Sequence, residues 1–320
     1  AHFDEDSADL FFGRETLVRE LIDRVRGSRS VFITGPSGSG KSSIARAGVL
    51  HALKNDALPD SARWLYATLT PSRDPLEALA AAVTRLSKSP DLGDYLRTHY
   101  AEPDALHKCV EAALSDRSDQ RAVLLIDQFE ETFTQVGREP ERSAFLNLLT
   151  HAATLEHGRV TLIWAMRSDF VSNCAAYPSL NALLNQNFLQ VGAMTSAELV
   201  SAIAQPALRV GLHIEPELVA QIIADMQGEP GVLPLVQFAL RDLFEAQQAA
   251  GGIIALTRHD YLDRGGIHQA LERHADLAFG QLTSDEQNLA RTVFSGLIQI
   301  GRGTEDVRRT FLWFIHDYYT

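Results

Sequence analysis

Ser30-Val31-Phe32-Ile33-Thr34-Gly35-Pro36-Ser37-Gly38-Ser39-Gly40-Lys41-Ser42-Ser43 runs from an apolar stretch through a glycine-rich octapeptide into a helix-compatible segment continuing Ile44-Ala45-Arg46-Ala47. The octapeptide Gly35 to Ser42 fits G-x-x-x-x-G-K-[ST]. Its glycines let successive backbone N–H groups converge on phosphates, and the helix N-terminus behind them adds a positive field. Lys41 is expected to reach the β and γ phosphates, and Ser42 to offer its hydroxyl to magnesium. A flexible Gly/Ser turn is the alternative for the octapeptide alone; the strand before it and the helix after it weigh against that. The stretch therefore predicts a nucleoside triphosphate site, with Gly35, Pro36, Ser37, Gly38, Ser39, Gly40, Lys41, Ser42 and Ser43 on the phosphate side.

Outward from this loop, short apolar runs alternate with helical patterns over the first 190 or so residues. Strands are expected at Val31–Thr34, Trp64–Leu69, Ala122–Asp127, Val160–Met166 and Phe188–Val191. Helices are expected over residues 14–27, 40–54, 75–88, 103–116 and 141–155, with Pro75, Pro103 and Pro140 near the starts of three of them. Alternation of this kind predicts a parallel sheet covered on both faces, and the nearly continuous apolarity of the middle strands is what two-sided burial requires. From about residue 195 the strands are expected to stop. Three amphipathic helices, Thr195–Gln205, Glu215–Gln227 and Leu233–Ala249, form a lid-like unit punctuated by Gly228, Gly231 and Gly251-Gly252. A second helical unit follows, near 257–263, 267–281 and 283–298, before the turn Gly301-Arg302-Gly303.

Composition narrows the function classes. The chain has 320 residues, 45% hydrophobic and 22% charged, with a formal net charge of −12. That balance suits a globular core and argues against a dedicated nucleic-acid surface, which normally presents a basic face. Cys109 and Cys174 lack metal-ligand spacing and read as small buried hydrophobes in a reducing, cytoplasmic compartment. No apolar run approaches the roughly 18 residues needed to span a bilayer, and no signal-peptide core precedes the fold. The first residue is Ala1, which suggests a fragment or processed form of a longer protein.

Two further segments carry chemistry. Val123-Leu124-Leu125-Ile126-Asp127-Gln128-Phe129-Glu130-Glu131 reads as a buried strand ending in a carboxylate that can hold magnesium, the Walker B arrangement. Glu130 and Glu131 are the candidates for the group that orients or deprotonates the attacking water. The alternative is a strand-end cap followed by an exposed helix. The apolar run Val160–Met166 ends in Arg167-Ser168-Asp169. Ligands sit at the carboxyl ends of strands in open α/β sheets, so Arg167 can sense a γ-phosphate; local pairing with Asp169 is the competing reading.

Phe11-Phe12-Gly13-Arg14-Glu15, the P-loop, Asp127 to Glu131, Met166-Arg167-Ser168-Asp169-Phe170 and Gly228-Glu229-Pro230-Gly231-Val232-Leu233-Pro234-Leu235 occur in the order seen in STAND NTPases. The set most resembles the novel STAND subgroup, often found in bacterial proteins beside WD-type repeats. The resemblance covers about residues 3 to 310. It implies an ASCE/AAA-like α/β P-loop NTPase domain over 1–194, an all-helical lid over 195–252 and a winged-helix-like domain, atypical at its end, over 253–320. It also implies that Phe12, Gly13 and Arg14 line the base pocket, that Arg167 is a sensor arginine, and that Pro234 packs over adenine. His274 is the nearest counterpart of a histidine that touches the β-phosphate of ADP in relatives.

This chain departs from the pattern twice. Gln128 stands where many related ATPases carry the catalytic acid, an arrangement similar to the NACHT form, and Glu130 becomes the preferred base. After Thr304-Glu305-Asp306-Val307-Arg308-Arg309, where relatives continue into a wing, five of the last ten residues are aromatic. The expectation is an ATP/ADP and magnesium switch that hydrolyses ATP slowly, opens its lid and assembles as a homo-oligomer in the ATP state. Effector and sensor domains would lie beyond the two ends, and the resemblance suggests bacterial defence or cell-death signalling. The rivals are a DNA-associated ATPase using the winged helix and the basic residues Arg302, Arg308 and Arg309, a scaffold that binds nucleotide without hydrolysis, and a metabolic P-loop kinase.

Overall fold

In a computed structural model of the chain, residues 3–117, 119–226, 231–249, 255–299 and 307–308 are described. Five strands form one parallel sheet: β1 (Ser30–Gly35), β2 (Leu65–Leu69), β3 (Ala122–Ile126), β4 (Val160–Arg167) and β5 (Phe188–Gln190), in the order β2-β3-β4-β1-β5. All five coincide with apolar runs anticipated from the sequence. Because every pair is parallel, all carboxyl ends emerge on one edge, and β4 sits between the strand that feeds the P-loop and the strand that feeds Asp127. Register pairs Gly35 with Arg167, so the first P-loop residue and the arginine occupy adjacent strand ends.

Side chains alternate across the sheet, and each face has its own core. Phe32, Leu124, Ile126, Leu162, Trp164 and Met166 face helices Pro75–Ser87, Ala105–Ala113, Glu139–Thr154 and Pro178–Gln186. Val31, Ile33, Val123, Leu125, Ile163 and Ala165 face helix Glu15–Gly27 and the helix over residues 41–54. Trp164 anchors the first face: it is fully buried, stacks on Phe32 at 5.0 Å, takes Phe129 edge-on at 4.8 Å, and donates its indole N–H to Ser30 Oγ at 2.9 Å.

The P-loop helix is not uniform, since a π-helical stretch, Ile44–Leu50, replaces α winding. Gly48 within it lets helix Glu15–Gly27 approach closely, because a Cβ there would lie 2.5 Å from Val18 Cγ2. Helices Pro90–His99 and Pro178–Gln186 were not anticipated. The first is short and carries Gly93, whose missing side chain admits Thr84 Oγ1. The helix anticipated over 103–116 is shorter, Ala105–Ala113. The helix after Thr195 does not stop before Pro206; it runs Ser196–Arg209, opened by a Thr195/Glu198 capping box. Tertiary burial of Ile203 and Ala207 carries it through the proline, which ordinarily disfavours the preceding turn.

Strands also do not end at residue 195 as expected: β6 (His213–Ile214) and β7 (Ala255–Leu256) form a two-residue parallel pair, too short for a periodicity signal, and Ile298–Gln299 pairs antiparallel with Val307–Arg308. A third core gathers Ile203, Leu218, Ile222, Val236, Leu243, Leu256, Tyr261 and Ile267. Asp242 binds Arg264 and Arg273 across it, with oxygen-to-nitrogen distances of 2.8 to 3.0 Å. Gly228, Glu229 and Pro230 of the lid motif, Gly251-Gly252, the turn Gly301-Arg302-Gly303, Arg309 and the aromatic segment 310–320 lie outside the described residues. Trp164→Ala is expected to destabilise the sheet by about 3–5 kcal/mol, read as a lowered melting temperature.

Candidate functional site

The loop after β1 turns on two glycines in the left-handed region, Gly38 (φ 74°) and Gly40 (φ 89°), before the helix begins at Lys41. Gly35 is closely packed, since a Cβ there would lie 2.8 Å from Ser39 Oγ and 3.1 Å from Val191 O. Lys41 is buried, and its ammonium donates to the carbonyls of Gly35 (3.0 Å) and Pro36 (2.8 Å). Burial lowers its pKa, with Glu130 and Asp127 opposing that effect and Arg167 adding to it. Ser39 Oγ is buried without a hydrogen-bond partner among the described residues, an arrangement that a phosphate oxygen would satisfy.

Asp127 leaves β3 with 1% of its surface exposed, and its carboxylate is fully engaged. Oδ1 accepts from Ser42 Oγ (2.8 Å) and the Gln128 N–H (3.0 Å), while Oδ2 accepts from Arg46 Nε (2.9 Å). A serine hydroxyl beside a carboxylate is a hard-oxygen donor pair of the kind magnesium accepts when phosphates and water complete its octahedron. No group of three or more His, Cys, Asp or Glu side chains among the described residues can hold a metal by itself. The donors therefore fit a metal that arrives with a nucleotide. When bound, it would neutralise charge on the phosphates.

Beyond Asp127 the chain reverses tightly. Gln128 takes a left-handed conformation (φ 52°) and is exposed, Phe129 N–H donates to Ala165 O at 2.9 Å, and Glu131 N–H donates to Gln128 O at 2.9 Å. The turn brings Glu130 back toward the site, where its carboxylate accepts the Arg167 backbone N–H at 3.3 Å. Burial pushes the Glu130 pKa up; backbone N–H donors, Lys41 and Arg167 restrain that rise. Glu131 starts the short helix Glu131–Thr134. The Arg167 side chain is paired in two contacts with Asp169, at 3.1 and 2.6 Å, and the carboxylate beside it raises its pKa.

On the other side of the P-loop a cavity of about 380 Å³ runs to the helical unit. Phe12, Arg14, Gly38, Ser39, Gly40, Lys41, Ser42, Ser43 and Pro234 all line it. Arg14 is buried, donates to Gly192 O at 2.8 Å, and has its pKa lowered by burial. Gly13 (φ 86°) underlies the wall: a Cβ there would lie 2.3 Å from the Glu198 carbonyl oxygen. Pro234 stands in the first turn of helix Leu233–Ala249 and faces the cavity as well, so the helix-start and lining roles coexist. Gly231 (φ 76°) meets the P-loop backbone directly; a Cβ on it would lie 2.7 Å from Ser37 O, and one on Gly38 would lie 2.6 Å from Gly231 O. His274 is elsewhere, exposed on helix Gly266–Gly280 with its ring edge-on to Phe238 at 5.0 Å and outside the cavity lining.

Sequence reasoning missed part of the wall: Met194, Leu199, Ala202, Pro206, Met226 and Gln237 also line the cavity. They come from segments distant in the chain, and an apolar lining residue has no signature apart from a core residue. Arg46 was missed too, although its position four residues after Ser42 places it on the same side of the helix. If Glu130 is the base, turnover is expected to fall on acidification with a midpoint above the ordinary glutamate value of 4.5, since burial favours its protonated form and only the ionised form accepts a proton. A pH–rate profile flat down to that value excludes it.

Solved structures share the fold of the chain. The Aeropyrum pernix ORC2 protein, solved as ADPNP-ADP complexes, superposes with a TM-score of 0.59 at 16% identity, over 90% of this chain and 86% of that one. The Aeropyrum pernix ORC1 protein in complex with DNA gives 0.58 at 19% identity, over 90% and 72%. At such identities the likeness is one of fold. Nothing among curated proteins matches the chain. A family model described as Novel STAND NTPase 1 matches residues 1–314, and with the P-loop, Asp127 and the strand order around them this chain belongs to that family of P-loop NTPases.

Proposed function

We propose that the chain is a nucleotide-controlled switch, binding ATP or ADP with magnesium and hydrolysing ATP slowly. The observation that carries the reading is the shared cavity: its walls include both the phosphate loop and Pro234 of the helical unit, so a bound nucleotide would touch both. Residues 1–194 act as the NTPase domain, 195–252 as the lid and 253–320 as a winged-helix-like domain. Lys41 binds the phosphates, Ser42 and Asp127 hold magnesium, Glu130 activates water and Arg167 senses the γ-phosphate. Gly13 and Arg14 shape the base side with Phe12, and His274 would need the helix that carries it to move in order to reach a phosphate.

The direct backbone contact of Gly38 with Gly231 supports a closed lid as one end state. ATP would favour the open, homo-oligomeric state only by binding it better. Reversing a 1:99 population to 99:1 takes about 5.5 kcal/mol of such preference. Arg167 is occupied by Asp169, which supports slow turnover until a neighbouring protomer supplies an arginine. No described helix is long and apolar enough to cross a membrane. Cytoplasmic signalling, for instance in bacterial defence, with effector and sensor domains beyond the two ends, completes the reading. The ORC1 structure with DNA favours a DNA-associated alternative, whereas the net charge of −12 opposes it. DNA retention that weakens steeply with salt would select it.

Lys41→Ala is expected to lose nucleotide, whereas Glu130→Gln keeps ATP and accumulates the assembled form. Nucleotide content and light-scattering mass decide, and an assembly state indifferent to ATP in the chain with its native neighbours sinks the switch. Gly231→Ala should weaken ADP binding on the order of tenfold by propping the lid off Ser37, measured by calorimetry.

A further inference from the structure

Arg46 is the one basic side chain hydrogen-bonded to the Asp127 carboxylate among the described residues. The Arg46 side chain is 25% exposed and that of Asp127 1%. It rises from the π-wound stretch that begins at Ile44, so the change of winding falls between Ser42 and Arg46. Winding of this kind is concentrated at functional sites. The pair leaves the magnesium donors with no net charge: Asp127 contributes one negative charge and Arg46 one positive. Around Lys41 the other charged groups also balance, Lys41 and Arg167 against Glu130 and Asp169. A bare divalent cation therefore meets two donor oxygens whose single negative charge is already offset by a guanidinium, which weakens its attraction, whereas a nucleotide brings its own phosphate charge.

We propose that Arg46 is a positioning residue of the metal site, one that holds Asp127 through Oδ2, leaves Oδ1 with Ser42, and keeps divalent metal out until a nucleotide carries it in. The inference rests on the assignment of Ser42 and Asp127 to magnesium. The arginine gives the buried carboxylate an opposite charge without donating a metal-ligating atom. Its partial exposure lets it yield when phosphate and metal arrive together. The site is thus poised for the metal–nucleotide complex and not for metal alone.

The test is Mn²⁺ binding to the nucleotide-free full chain, followed by water-proton relaxation. Removing the charge while keeping the stem, in Arg46→Gln or Arg46→Met, is expected to tighten Mn²⁺ binding about tenfold. Arg46→Lys, which retains the charge, should remain within about threefold of the parent chain. Adding Asp127→Asn to either neutral variant should abolish the gain. Mn²⁺ affinities that coincide in the parent and a folded neutral variant would reduce Arg46 to a structural ion pair, visible only in the melting temperature. A gain that survives Asp127→Asn would place the metal elsewhere and also overturn the proposal. The readout needs no hydrolysis or assembly, so a chain that never switches with ATP fails the functional reading while leaving this result intact.

Discussion

Burying a carboxylate to 1% of its surface costs free energy unless hydrogen bonds and opposite charge replace the lost water, and the Asp127 site is built around that requirement. Its donors come from the P-loop helix, through Ser42 and Arg46, and from its own reversal, through the Gln128 N–H. The phosphate loop, the P-loop helix and the end of β3 are consequently one hydrogen-bonded unit. The sheet makes this unit possible, because parallel strands place Gly35, Asp127 and Arg167 on one edge. Trp164, packed between Phe32 and Phe129, keeps the β3 reversal seated on the strand between them.

Much of this was legible in the residues. Strands buried on both faces show as near-continuous apolar runs, which is why β1, β3 and β4 are legible in the sequence alone. The P-loop announces itself because backbone convergence demands glycine at particular places, as the positive φ angles of Gly38 and Gly40 bear out. What escaped had a different physics. Helix Pro90–His99 is only ten residues long, carries Gly93 in its interior and buries only Gly93 and Leu96, so its helical signal was weak. The helix expected to end at Gln205 continues through Pro206 to Arg209, where burial of Ile203 and Ala207 prevails. Arg46 carried no motif, and its importance emerges only from where Asp127 lies in three dimensions.

The turn at Gln128 shows how local conformation and chemistry are joined. A left-handed residue outside glycine carries a conformational cost, typically of order 1 kcal/mol. Here that conformation reverses the chain within a few residues and returns Glu130 to the strand ends, while the Gln128 side chain points into solvent. The position that carries an acid in many related ATPases is thus occupied by a residue whose backbone shapes the turn.

The contact of Gly38 with Gly231 involves main chain alone. Side chains absorb displacement by changing rotamer, but a backbone-to-backbone contact has no such compliance. A methyl group on Gly38 would meet Gly231 O and one on Gly231 would meet Ser37 O, so at either position the added atom would have to displace backbone and could not be relieved by a rotamer change.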